Sequence, residues 1–72
     1  MPSTAIGRID YDKQTQQLFV DFVTNGRRYV YFDVPWDEVD AFKHAFNKGT
    51  YFNTHIRERY RHELVFDSTM SA

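Results

Sequence analysis

The sequence predicts an α+β domain: a three-stranded antiparallel sheet followed by two helices packed on one face, in the order β-β-β-α-α. Three observations carry this. Two segments rich in aromatic and β-branched residues, "LFVDFV" and "YVYFDV", flank an Asn-Gly pair. A proline-led stretch then places Trp36, Val39, Phe42 and Phe46 at helical spacing, with Ala45 beside them. Finally, Phe52, Ile56, Tyr60 and Leu64 recur every four residues.

The first strand is expected over Ile6 to Tyr11, with Ile6 and Arg8 on one face and Gly7, Ile9 and Tyr11 on the other. "DKQTQQ" is polar and reads as a turn. Between the second and third strands Asn25-Gly26 suits a two-residue type I′ turn, because both central positions need φ > 0. That turn pairs Phe22 with Tyr29 and Val20 with Tyr31, gathering Leu18, Val20, Phe22, Tyr29 and Tyr31 on one face. A three-residue turn including Thr24 pairs Phe22 with Arg28 instead and sends the tyrosines to the other face. Turn chemistry favours the first register; a wholly apolar face of Leu18, Val20, Phe22, Val30 and Phe32 favours the second.

In the first helix Pro35 fits the opening position, where a missing N–H costs nothing. Asp37 and Glu38 follow at the positive end of the helix dipole, and Gly49 is the natural terminator. The second helix begins near Tyr51. A single domain over residues 5–65 is expected, with 66–72 as a flexible tail.

Composition narrows the function. At 72 residues there is one modest core, and seven Phe, five Tyr and one Trp must supply much of its area. The absence of cysteine excludes a disulfide scaffold and thiolate metal sites, and fits a reducing cytoplasm. The net charge of −1 weighs against a free-standing nucleic-acid binder unless charge is segregated. It is partly so: Asp37, Glu38 and Asp40 cluster in one stretch, Arg57, Arg59 and Arg61 in another. No apolar run approaches a membrane span, and the N-terminus lacks a signal peptide's apolar core.

Taken in order, "LFVDF", "NG", "YVYFDVP" and "NKGTYFNTHIRERY" resemble the KTSC domain, a small domain named for its occurrence at the C-terminus of some lysyl-tRNA synthetases. The resemblance runs from about Tyr11 to Tyr60. Its distinctive parts are the Tyr-x-Tyr pair, the Val-Pro after it and the Gly-x-Tyr-Phe-Asn-x-x-Ile-Arg-x-x-Tyr run. It implies a small single-domain bacterial protein or appended module of unestablished activity, for which RNA binding has been proposed. It also implies that Leu18, Val20 and Phe22 share the core face with Tyr29 and Tyr31, which selects the Asn-Gly register and tyrosines at least half buried. The chain departs from the pattern at Phe19 and Val30, apolar where the family is often polar, and at Asn47, where the family often has Ser.

Two surfaces could carry function. Tyr29, Tyr31, Lys48, Asn53, Arg57 and Tyr60 are the candidate RNA or ligand contacts. Aromatic rings on a small sheet stack on bases, and arginines meet phosphates. Against stacking, a domain this small needs its tyrosines in the core. Arg57 belongs to the family-like "NTHIR" and is the best candidate for a specific contact. The second surface is the outer sheet face of Phe19, Val23, Val30 and Phe32. It is apolar enough to need a cover: the tail, a second copy in a homodimer, or another protein. His55 and His62, seven apart, read as two turns along one helix face. With His44 on the other helix they form no convincing ligand set, so no metal or cofactor is expected. Without cysteine or a serine near a histidine there is no catalytic constellation, and the expectation is a non-catalytic cytoplasmic binding module. Its partner is RNA, a nucleic-acid-associated protein or another protein surface.

Overall fold

A computed structural model describes residues 6–24 and 26–67. It contains β1 (Ile6–Asp12), β2 (Gln17–Phe22), β3 (Arg27–Tyr31), α1 (Trp36–Lys43), α2 (Lys48–Tyr51) running into a π-helical turn (Phe52–Ile56), and β4 (His62–Asp67). The class is α+β with an antiparallel sheet, but the sheet has four strands, in the order β1-β2-β3-β4. Among the described residues no helix is long and apolar enough to cross a membrane.

The fourth strand is the main correction. Leu64 does not continue a helical stripe; it pairs with Tyr29 on the free edge of β3, and His62 pairs with Tyr31. Phe66 and Asp67, assigned above to the tail, pair with Arg28 and Arg27. The helix stops because its turns tighten after Ile56, where Arg59 N–H donates to the Ile56 carbonyl at 3.1 Å. Since His62 lies in a strand, its helical relation to His55 disappears. Residues 68–72 lie outside the described residues.

The β2–β3 hairpin has the expected faces in a different register. Phe22 pairs with Arg27, Val20 with Tyr29 and Leu18 with Tyr31. The connection is therefore four residues long, 23–26, rather than two. Gly26 N–H donates to the Phe22 carbonyl at 3.0 Å, and Gly26 takes φ 67°, the left-handed conformation that favours glycine. Asn25 itself lies outside the described residues. A shift of two residues leaves every side chain on its face, so Tyr29 and Tyr31 still join Leu18, Val20 and Phe22. In β1 a bulge between Ile6 and Arg8 turns Ile6 onto the core side with Ile9 and Tyr11.

The core is a cluster of Leu18, Val20, Tyr31, Val34, Val39, Phe42, Phe52 and Ile56. Helix α1 contributes Val39 and Phe42, but it ends at Lys43, before Phe46. Phe46 therefore leaves the stripe and stands fully exposed. Gly49 ends nothing: it is buried in the first turn of α2. That helix starts earlier than expected because Asn47 caps it, its Oδ1 accepting from Thr50 N–H at 3.0 Å. Asn47→Ala should cost about 0.5–2 kcal/mol and Asn47→Ser much less, as thermal unfolding followed by circular dichroism will measure.

Candidate functional site

The tyrosine face of β3 extends past the helical layer, and the space left beside the π-helical turn is a cleft of about 520 Å³. The hairpin end supplies Phe22, Thr24 and Arg27; β3 supplies Tyr29 and Tyr31; β4 supplies His62. The opposite wall is Phe52 and Asn53 from the π-helical turn, then Arg57 and Glu58. The π turn itself is marked by Arg57 N–H donating to the Phe52 carbonyl, five residues back, at 2.9 Å. Phe52 thus faces the core while Asn53 and Arg57 border the cleft.

Aromatic rings form its floor. Phe22 meets Tyr29 and Phe52 edge-on, with ring centroids 5.8 and 5.3 Å apart. Tyr31 meets Phe52 edge-on at 5.4 Å and lies under His62, nearly parallel, at 5.1 Å. Tyr31 is buried and Tyr29 half-buried, so neither presents a bare ring face as a stacking platform. His62, by contrast, is exposed above Tyr31.

Cations stand around this floor. Arg27 Nε contacts Asp67 Oδ2 at 2.9 Å, and the Asp67 side chain is 5% exposed, so the pair anchors the end of β4 to β3. Arg57 Nη1 reaches only as far as Asn53 Oδ1, at 3.5 Å, a weak restraint on an exposed guanidinium. Burial, then the neighbouring Tyr29, push the Tyr31 phenol up from 10.0 to about 12, although Arg57 pulls it the other way. The folded chain thus holds this proton more tightly than the unfolded one. The resulting stability is complete below pH 10 and is lost as pH climbs from 10 towards 12. Tyr51, pushed to about 12 by burial and by its bond to Glu38, shares that window. Tyr31→Phe should therefore flatten, without abolishing, the alkaline fall in denaturation midpoint; an unchanged slope would refute the assignment.

Four of the six candidate contacts, Tyr29, Tyr31, Asn53 and Arg57, thus meet in one cleft. Two do not. Lys48 opens α2 away from it, and the Tyr60 hydroxyl donates to Glu38 Oε1 at 3.0 Å, tying the end of the helical layer to α1. The cleft also holds three residues outside the candidate set: Arg27, and Glu58 and His62, which on a helix would be ordinary mixed-charge surface beside Arg57. Arg27 had a signal, lying two residues before Tyr29 on the same strand face; His62 joins the cleft through β4, where it pairs with Tyr31, and not through a helix face shared with Arg57.

On the outer face Val30 is buried, Phe19 and Phe32 are half-buried and Val23 is exposed. Much of the cover comes from the chain's own arginines. The Arg28 guanidinium lies 5.0 Å from the Phe19 ring centre and that of Arg61 4.7 Å from Phe32. Arg28 is held there by Asp21 at 2.7 Å and Asp10 at 3.1 Å.

The sequence model of the KTSC domain matches residues 2–60. The chain belongs to the KTSC domain family. The crystal structure of the KTSC domain protein YPO2434 from Yersinia pestis shares its fold, with a TM-score of 0.82, 27% identity and 92% of each chain covered. No curated protein matches. The family match ends at residue 60, so β4 and His62 lie beyond it, whereas the remaining cleft residues of this KTSC domain fall within it.

Proposed function

We propose that this KTSC domain is a non-catalytic module that binds single-stranded RNA through the cleft beside Arg57. The observation that carries this reading is convergence. Arg27, Arg57 and Asn53 border one opening whose floor is aromatic and whose rim carries the exposed ring of His62. Guanidinium groups hold phosphates, and an exposed imidazole is among the surfaces on which unstacked bases lie. The opening has the volume of a small-ligand site, which suits one or two nucleotides of a flexible strand rather than a duplex. Asp37, Glu38 and Asp40 lie outside the opening, whose lining carries Glu58 beside Arg27 and Arg57, so the cationic contact rests on Arg57 rather than on a net positive charge. The expected setting is a bacterial cytoplasm. Protein binding or dimerisation through Phe19, Val23, Val30 and Phe32 is the lesser reading, because Arg28 and Arg61 already lie over two of those residues.

Fluorescence anisotropy with labelled single-stranded RNA over a range of salt tests the proposal. Each neutralised phosphate on a single strand contributes a slope of about −0.7 in log K against log salt, and with Arg27 already paired to Asp67 the contact of Arg57 gives about −0.7. Arg57→Ala should remove most of that slope and weaken all sequences alike. Absence of binding at low salt would refute the reading.

A further inference from the structure

We propose that Glu58 makes the cleft select guanine among the RNA bases, an inference that rests on the RNA-binding reading above. Glu58 lines the same opening as Arg27 and Arg57 yet joins neither in the ion pairs found among the described residues. A carboxylate there repels a phosphate, so its presence in a phosphate-binding cleft calls for a different part of the ligand. An ionised carboxylate only accepts hydrogen bonds, and two parallel donors satisfy it best. Guanine is the one RNA base whose Watson–Crick edge offers two adjacent donors, N1–H and the N2 amino group. Adenine and cytosine each set an acceptor nitrogen beside their amino group. Uracil flanks its single N–H with two carbonyl oxygens. Both arrangements oppose a carboxylate.

The chain order suits this division of labour. Arg57 and Glu58 are adjacent at the end of the π-helical turn, so one short segment offers a cation for the backbone and an acceptor for the base. The exposed imidazole of His62, supported from below by Tyr31, supplies the surface on which the base lies. Glu58 is itself exposed, so its substitution leaves the core intact.

The test uses short single-stranded oligouridines carrying one central guanosine, inosine, adenosine or cytidine, titrated into the full chain at low salt. The guanosine strand should bind about tenfold or more tighter than the others, as expected of a bidentate base contact. Inosine keeps N1–H but lacks the N2 amino group and should lose most of that advantage. Glu58→Gln should bring the guanosine strand to within about threefold of the rest, with any tightening from the lost negative charge shared by every strand including the all-uridine one, and leave the circular dichroism spectrum unchanged. Equal binding of all strands by the unmodified chain would overturn guanine selection and leave RNA binding standing. So would a uniform loss across strands in Glu58→Gln. No binding of any strand would overturn the RNA reading, and this inference with it.

Discussion

Phe42→Ala is expected to unfold much or all of the chain at room temperature. The ring has no exposed surface and packs against Tyr51 and Phe52, with centroids 5.8 and 6.1 Å away. Truncating such a phenylalanine costs about 3–5 kcal/mol, since the surrounding side chains collapse only partly into the space. Small domains seldom have more than that in hand. Even the lower figure lowers the melting temperature of a domain this size by roughly 12–24 °C. Phe46→Ala is the matched control. A continuous helical stripe would make the two phenylalanines equivalent, but Phe46 is fully exposed and its loss should stay within about 0.5 kcal/mol. Equal effects of the two substitutions, read from thermal melts, would refute this packing.

Ending the chain at Arg61 should be comparably damaging, because it removes β4. Val30 and Tyr31, 6% and 3% exposed, would then lose the neighbour that covers the β3 edge. Fully exposing a side chain of that size costs about 1.5–3 kcal/mol, so the pair sets an upper bound of about 3–6 kcal/mol, with Tyr31 keeping its contact to Phe52. Arg27 would also lose Asp67. Were residues 62–67 a helical extension instead, truncation would lower the helical circular dichroism signal and leave the sheet stable. Urea denaturation of the shortened chain separates the outcomes: a collapse in midpoint supports the four-stranded sheet, and an unchanged midpoint with less helix refutes it.

The sequence showed the faces of the hairpin better than its register. Alternation places Tyr29 and Tyr31 with Leu18, Val20 and Phe22 in any register displaced by an even number of residues, so a wrong loop length did no harm to the assignment. The helical pattern held where burial enforces it, at Val39, Phe42, Phe52 and Ile56, and failed where nothing packs on it, at Phe46. The fourth strand was masked by coincidence: Leu64 is in helical phase with Phe52, Ile56 and Tyr60. The contrary signal was local, three apolar residues in a row at Leu64, Val65 and Phe66, which no single helical stripe accommodates. The pairing itself comes from a long-range demand, the open edge of β3, that no short window of sequence contains. The cleft inherits both facts. Tyr29, Tyr31, Asn53 and Arg57 were legible from local pattern and resemblance, whereas His62 enters only because β4 closes the sheet.

The pairings also fix where this domain can be joined to others. Ile6 lies opposite Phe22, Phe22 opposite Arg27, and Arg27 opposite Asp67, so a single row across the sheet runs from the start of β1 to the end of β4. A fusion ahead of Ile6 and another after Asp67 would leave from the same end, about 14 Å apart at three interstrand spacings. Phe22 and Arg27, in the middle of that row, belong to the cleft. Any protein tethered at either side is therefore held beside the mouth of the site, where tethering raises the effective concentration of whatever it carries to the millimolar range for a short flexible link. As an appended module, the domain would meet first the ligand delivered by its own covalent neighbour.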